Sequence, residues 1–293
     1  MRTKKDLGAN YGSIFTGHLT LRRRLNRAKP FLRLSHPEVE DVAINNRCMG
    51  GCPYCYVSAC PTGEDFPGIC EKAKEVWGGL LEEDRPYQIA IGGAGEPTLH
   101  PDLLRFCETA RSLSIIPNLT TNGMHLNAEL IKGIGDLCGG VAVSYHKHLV
   151  KHFQRAVETL CSAGVSTSIH VILGEPGSGE DVIFMMDRYP AVNRIVILPY
   201  QGIGRAGPID PRTEWDRLFN DVQSLWNMAK SKVAFGAGFY DYFLHKCSSG
   251  PEEGPGIGLL DLDLYNPELF SGYRIMDVSH RILRKSSFNP VPV

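Results

Sequence analysis

Strand-like and helix-like stretches alternate six times between residues 39 and 229, and this alternation limits the possible fold more than any other feature. The predicted strands are residues 39–44, 87–91, 115–120, 140–144, 165–173 and 195–198. The predicted helices are residues 69–83, 101–110, 127–134, 149–163, 179–189 and 215–229. Strands joined through helices pair in parallel with right-handed crossovers. Because six units are too few for the eightfold barrel, we expect an α/β fold of the partial (β/α)6 TIM-like barrel type.

Composition divides the chain into three parts, at 1–38, 39–230 and 231–293. The first is a basic N-terminal arm, since residues 1–40 hold nine Lys or Arg against three Asp or Glu. Such an arm could bind nucleic acid, an acidic peptide or a phosphorylated substrate; the alternative is a solvated extension with a helical turn. The second part is the barrel. The third has short apolar pieces between glycine and proline clusters, which predicts a small irregular C-terminal extension, α/β or a β-hairpin.

The bulk composition is typical of a soluble globular protein, with 43% hydrophobic and 22% charged residues in 293. No apolar run approaches the ~18 residues of a membrane span, and no apolar segment follows the charged N-terminus as in a signal peptide. Nine cysteines, an odd number, do not fit a secreted disulfide framework. We therefore expect a cytoplasmic protein with a few functional thiolates and no membrane partner.

Three cysteines follow the first predicted strand, with three and then two residues between them: Cys48, Cys52 and Cys55. Thiolates grouped in this way suit zinc, Cu(I) or an iron–sulfur cluster. Three ligands leave one position of a four-coordinate site open. Either Cys60, Cys70 or a histidine completes a zinc site, or the open position belongs to a molecule that reacts.

A glycine-rich loop, residues 92–97, follows the second predicted strand. It exposes backbone at a strand end, where an amine or a carboxylate can be held close to the chain, with Glu96 as an anionic partner. Ligands of parallel sheets bind at the carboxyl ends of the strands. Because the cysteines, this loop, Asn122, Ser144 and Pro199 all follow predicted strands, we expect them to line one pocket.

The two motifs together resemble the radical S-adenosylmethionine superfamily. Its C-x3-C-x-aromatic-C motif is matched by Cys48, Cys52, Tyr54 and Cys55, and its GGE-type loop looks like Gly93, Ala94, Gly95 and Glu96. The resemblance covers about residues 40–205 and implies the same partial barrel. It also implies a [4Fe–4S] cluster on the three thiolates, with S-adenosylmethionine chelating the fourth iron. An external one-electron reductant of the flavodoxin or ferredoxin type would start cleavage to a 5′-deoxyadenosyl radical, which abstracts hydrogen from substrate.

The resemblance also implies cofactor contacts at named positions. These are the backbone near Tyr54 for adenine, the 93–96 loop for the methionine amine, Ser144 for the ribose or carboxylate, and Leu198 and Pro199 for adenine packing. Asn122 lies in a Thr-Thr-Asn-Gly sequence that resembles a turn common in the family; the alternative is a plain turn that uses Asn and Gly. His146, His148 and His170 could face substrate or be ordinary polar residues.

Residues 200–206 resemble the "GRA" segment of family members that carry a C-terminal SPASM or twitch extension. Those extensions bind auxiliary clusters through several cysteines, whereas only Cys247 lies beyond residue 161 here. The resemblance therefore implies a degenerate extension without an auxiliary cluster. Cys247 could be a packing residue or a hydrogen donor that quenches a product radical.

The resemblance favours a radical enzyme that acts on a peptide or small metabolite, because the GRA-like segment is retained. The basic arm favours a nucleotide or nucleic-acid substrate instead. A non-enzymatic zinc-binding scaffold is the third possibility. No cobalamin-binding domain is evident before the barrel, so methyl transfer is not expected.

Overall fold

The described part of the chain forms two separate sheets and five α-helices. The computed structural model describes residues 1–17, 19–174, 177–207, 220–221, 224–225, 232–236, 239 and 271–275. A three-stranded antiparallel sheet consists, in that order, of β1 (Arg2–Asp6), β2 (Tyr11–Phe15) and β3 (Thr20–Arg24). Within the described residues, no helix is both long enough and apolar enough to cross a membrane.

The second sheet is parallel throughout and has eight strands in the described residues. They are β4 (Val39–Ala43), β5 (Gln88–Ile91), β6 (Ile116–Thr121), β7 (Gly140–Ser144), β8 (Thr167–Ile172), β9 (Arg194–Leu198), β10 (Val233–Phe235) and β11 (Ser271–Ile275). Their order across the sheet is β10-β9-β8-β7-β6-β5-β4-β11. The sheet curls into a half-barrel, and the predicted partial TIM-like barrel is confirmed.

Five helices connect successive strands from β4 to β9: α1 (Ile69–Gly78), α2 (Leu103–Ser112), α3 (Ala128–Leu137), α4 (Val150–Ser162) and α5 (Gly179–Arg188). The predicted cap of α3 is confirmed, since the Asn127 side chain accepts a hydrogen bond from the Leu130 N–H. The prediction that α1 continues to residue 83 was wrong. Two successive glycines, Gly78 and Gly79, end it a turn and a half earlier, because glycine is a poor helix former. The helix predicted at 215–229 lies mostly outside the described residues.

Two strands beyond residue 230 join the barrel sheet at its opposite edges. β10 pairs in parallel with β9, and β11 pairs in parallel with β4. The β-hairpin predicted as one possibility for this part of the chain is therefore wrong for β10 and β11, because the two strands of a hairpin are antiparallel neighbours of each other. The domain boundaries at 38 and 230 stay predictions.

The two faces of the curved sheet differ in chemistry. One face is apolar and packs against the helices through Ile89, Leu119, Val143, Ile169 and Ile197, all essentially buried. The other face carries the alternate residues of each strand, which are partly exposed and often polar, since side chains alternate between faces along a strand. The concave face of the half-barrel is thus the polar one, and it leads to the carboxyl ends of the strands.

The N-terminal sheet packs against the opposite end of the barrel. Tyr87 immediately precedes β5, and its ring stacks on Phe15 at 4.9 Å between centroids while its hydroxyl lies 3.0 Å from Ser13 Oγ. The Arg2 guanidinium donates hydrogen bonds to four carbonyls, those of Glu82, Arg85, Pro86 and Ser114. The predicted helical turn in the arm is wrong, because these residues form strands. The arm therefore lies at the amino ends of the barrel strands.

One arginine of the basic arm is engaged in a buried ion pair. Arg22 in β3 donates from Nε to Glu38 Oε2 at 2.7 Å, and the Glu38 side chain has no exposed surface. Arg23, the next residue, is exposed. The two neighbouring cations therefore have different environments, although the sequence presents them as one basic run.

This difference predicts unequal effects on stability. Arg22→Ala should lower the free energy of unfolding by about 2 kcal/mol, because it removes the hydrogen-bond partner of the buried Glu38 carboxyl, whose pKa burial raises to about 8. Arg23→Ala is the matched control and should change it by less than about 0.5 kcal/mol. Urea unfolding at pH 7 measures both. Equal losses in the two variants would contradict a specific role for the Arg22–Glu38 pair.

Candidate functional site

Loops at the carboxyl ends of β4, β5, β6 and β7 meet on one side of the barrel. The cysteines follow β4, the glycine-rich loop follows β5, Asn122 follows β6, and His146 follows β7. Hydrogen bonds cross between these loops, which places them together as the strand order predicts. This end of the barrel is the candidate site.

Gly50 lies at the centre of the cysteine loop. A Cβ atom placed on Gly50 would be 3.4 Å from Cys48 Sγ and 3.6 Å from Cys52 Sγ, so both sulfurs approach the same point. The Gly50 N–H donates to Cys48 Sγ at 3.3 Å, and Asn122 Nδ2 lies 3.7 Å from the same sulfur. Together with Cys55, these are free, half-buried thiols. Within the described residues no set of three His, Cys, Asp or Glu side chains is arranged around a single metal ion.

The surroundings of the cysteines disfavour free thiolates. Burial raises the pKa of Cys48, and burial followed by the neighbouring thiols Cys48 and Cys55 raises the pKa of Cys52 to about 12. Grouping thiolates in a partly buried loop is costly unless positive charge is placed among them. A bound cationic centre would supply that charge and displace the protons. The thiols therefore fit an iron–sulfur cluster better than a single metal ion, since within the described residues no three such side chains surround one ion.

Glu96 anchors the glycine-rich loop to the next strand. Its Oε1 accepts hydrogen bonds from the Thr98 N–H, from Thr98 Oγ1 at 2.6 Å and from Thr121 Oγ1 at 2.7 Å. Its Oε2 accepts from the Asn122 N–H at 2.7 Å. A carboxylate accepts about four hydrogen bonds, so most of its capacity is used. Glu96, buried and engaged in this way, fixes the loops.

The rest of the glycine-rich loop packs closely on the chain leaving β4. A Cβ on Gly95 would collide with Asn45 Oδ1 and would be 2.7 Å from the Arg47 carbonyl, so only glycine fits there. The Gly93 carbonyl accepts a hydrogen bond from the Tyr56 hydroxyl at 2.8 Å. Ala94 is buried against Ala43. The loop and the cysteine segment thus form one connected structure.

Two histidines contact the cysteine loop from the segment after β7. His146 Nδ1 lies 2.9 Å from the Tyr54 hydroxyl, and His148 Nε2 lies 3.0 Å from the Gly50 carbonyl. Because a carbonyl oxygen only accepts, His148 carries its proton on Nε2. Burial, followed by the nearby His148, lowers the pKa of His146 to about 4. The sequence placed these histidines in a loop after a strand but did not show their contact with the cysteine loop.

The remaining predicted site residues lie further along the concave face. Ser144 ends β7 and is paired across the sheet with His170, and Leu198 ends β9 and is paired with Ile172. One strand, β8, separates them. Pro199 directly follows Leu198 and is buried. Cys247 lies outside the described residues.

No protein-family model matches the chain. A curated relative, 7,8-dihydro-6-hydroxymethylpterin dimethyltransferase of Methanocaldococcus jannaschii, is 24% identical over 192 residues, which are 59% of this chain and 38% of that protein. Among solved structures, SuiB of Streptococcus suis bound to S-adenosylmethionine matches with a TM-score of 0.61 and 15% identity, over 83% of this chain and 59% of SuiB.

A further solved structure, anSMEcpe with bound AdoMet and Cp18Cys peptide, matches with a TM-score of 0.52 and 14% identity, over 72% of this chain and 66% of that one. SuiB has also been solved with its precursor peptide SuiA. This chain thus spans well under half the length of the curated relative and about three-fifths of SuiB. At these identities the solved structures establish a shared fold.

The concave face yields a pH-dependent prediction. Burial lowers the pKa of His170 to about 4 from the usual 6.5, so between these values the unfolded chain binds a proton that the folded chain does not. Acidification from pH 7.5 to pH 5 should therefore cost the wild type about 2 kcal/mol through this one residue. In His170→Gln this loss is absent.

Urea unfolding at the two pH values measures the difference. The free-energy advantage of wild type over His170→Gln should shrink by about 2 kcal/mol at pH 5. Ser168→Ala, on the same face but without a titrating group, should keep a constant difference from wild type. A pH-independent difference for His170→Gln would contradict a half-buried imidazole that stays neutral in the folded protein.

Proposed function

We propose, on the premise that the chain has the fold of the radical S-adenosylmethionine superfamily, that it is a radical enzyme. It would bind a [4Fe–4S] cluster and S-adenosylmethionine at the candidate site. When bound, these groups would supply reductive cleavage to a 5′-deoxyadenosyl radical and hydrogen abstraction from substrate. An external one-electron reductant of the flavodoxin or ferredoxin type would supply the electron.

The observation that carries this proposal is the position of the Cys48 and Cys52 thiols. Cys48 and Cys52 direct their sulfurs to the same point beside Gly50, on a loop that is hydrogen-bonded to the glycine-rich loop through Tyr56 and Gly93. The residues fit a cluster because all three thiols are free and half-buried. Three thiolates would hold three irons of such a cluster, which would leave one iron for S-adenosylmethionine.

The glycine-rich loop supplies the contacts proposed for the methionine part of S-adenosylmethionine. Gly93, Ala94 and Gly95 would offer backbone groups to the amine. Glu96 holds the loop in place, since its carboxylate already accepts four hydrogen bonds. Asn122 is held through its N–H by the same carboxylate, and its Nδ2 faces Cys48. It would orient that thiolate beside the cofactor.

The adenosine part would extend along the concave face. The Tyr54 hydroxyl lies beside His146, which leaves the backbone near Tyr54 as the proposed adenine contact. Ser144 would hydrogen-bond the ribose or carboxylate from the end of β7. Leu198 and Pro199 would pack against adenine from the end of β9. Cys247 would be a hydrogen donor that quenches a product radical.

A peptide or a small metabolite is the proposed substrate. Solved structures with the same fold hold peptides: SuiB with SuiA, and anSMEcpe with Cp18Cys. The position of the basic arm weakens the case for a nucleic-acid substrate that its charge suggested. The arm packs at the amino ends of the strands, opposite the candidate site. The curated relative is named a pterin dimethyltransferase, so methyl transfer to a small molecule is the second candidate. Formation of S-adenosylhomocysteine would favour that second candidate over hydrogen abstraction.

The ligand assignment predicts the effect of single substitutions. Replacing Cys48, Cys52 or Cys55 by Ala should lower reductive formation of 5′-deoxyadenosine by at least about 100-fold, because each removes one iron ligand. Iron and sulfide per chain should fall as well. Anaerobically reconstituted protein with dithionite as reductant provides both measurements.

Cys60→Ala is the matched control for these variants. Cys60 lies at the end of the same loop, but its sulfur contacts Thr62 Oγ1 at 3.3 Å, so iron, sulfide and cleavage should stay near wild type. Loss of the cluster in Cys60→Ala would show that the ligand set is wrong. Stoichiometric zinc without sulfide in the wild type would instead favour the zinc-binding scaffold.

A further inference from the structure

Arg205 connects the segment after β9 to the cysteine loop. Its Nε donates to the Cys52 carbonyl at 3.1 Å, and its Nη1 donates to the Ala59 carbonyl at 2.7 Å. Its backbone N–H donates to the Cys55 carbonyl at 3.0 Å. One residue therefore holds three carbonyls of a segment about 150 positions away in sequence.

The segment after β9 can pack closely against the cysteine loop because the residue before Arg205 is a glycine. Gly204 has φ of 64°, a conformation that L side chains rarely adopt. A Cβ on Gly204 would collide with the Tyr56 carbonyl and would be 2.7 Å from the Cys55 carbonyl. The Tyr200 hydroxyl donates to the Ala206 carbonyl at 3.0 Å and closes the segment on itself. The segment thus has a defined fit against the backbone between Cys52 and Ala59.

The part of the loop that Arg205 holds lacks helix and strand. Between Cys52 and Ala59 its local backbone bonds are two long turn contacts, from the Cys55 N–H to the Cys52 carbonyl at 3.3 Å and from the Ser58 N–H to the Cys55 carbonyl at 3.2 Å. Arg205 holds three carbonyls through its guanidinium and its backbone N–H. Two of them, those of Cys52 and Cys55, belong to proposed cluster ligands. The position of these two cysteines therefore depends on contacts from Arg205, about 150 positions away in sequence.

We propose that Arg205 is a positioning residue for the cluster. Its planar guanidinium holds the carbonyls of Cys52 and Ala59 together, which arginine can do and lysine cannot, because a guanidinium offers donors in a fixed fork. Its positive charge also stands beside a cluster that three thiolates would make anionic. Charge and hydrogen bonds near a cluster set its reduction potential. This inference rests on the proposed function for the cluster, but the contact with the loop is independent of it.

Hydrogen exchange on cluster-free protein tests the contact. In Arg205→Gln the amides of Cys55 and Ser58 should exchange about tenfold faster than in wild type, because charge-assisted hydrogen bonds to the loop are lost. Arg105→Gln is the matched control: Arg105 pairs with the exposed Glu71 on the helix layer, and its loss should leave these amides unchanged. Exchange at the wild-type rate in Arg205→Gln would overturn the proposal.

Reconstituted protein then tests the effect on the cluster. Arg205→Gln should release iron to a chelator about tenfold faster than wild type and should shift the midpoint potential to a more negative value. Arg205→Lys, which keeps the charge without the fork, should release iron faster but keep a potential near wild type. Wild-type iron release in both variants would overturn the positioning role. A wild type that takes up no cluster would instead refute the proposed function, while the exchange result would still decide the contact.

Discussion

The Glu96 carboxylate is the interaction on which the arrangement of the candidate site depends. It ends the exit loop of β5, and it accepts hydrogen bonds from Thr98 and, across the strand ends, from Thr121 and Asn122. Its backbone is bonded to the exit of β4, through the Arg47 carbonyl and Asn45 Nδ2. Three exit loops are thus joined at one buried residue. A buried carboxylate is stable only when its oxygens are satisfied, so this site has a defined shape.

The cysteine loop depends on partners from several other segments. Asn122 approaches Cys48 from β6, His148 approaches the Gly50 carbonyl after β7, and Arg205 holds Cys52 after β9. A loop without regular secondary structure needs such contacts, because its local hydrogen bonds cannot fix it. The barrel therefore positions the thiols through its strand ends.

Much of the fold was predictable because it repeats a local pattern. The six predicted strands, the five helices between them, the Asn127 cap and the parallel pairing follow from apolar periodicity and turn residues, and the partial barrel that the resemblance implied is borne out in the fold shared with SuiB. The wrong predictions for the arm and for the C-terminal strands arose where tertiary contacts overrode local signals. The arm forms strands because Phe15 and Arg2 find partners around Tyr87. β10 and β11 are short strands that pair only with distant neighbours.

The sequence by itself determined which residues could do chemistry: three cysteines in a motif, a glycine-rich loop one unit later, and the strand ends that carry both. Spacing along the chain is local, so these features can be read without a structure. Only the tertiary structure decided how they act together. It showed that Glu96 braces the loops, and it placed His148 and Arg205 against the cysteine loop. Contacts between residues about 100 and 150 positions apart depend on how the sheet curls. A local sequence pattern carries no information about that curvature.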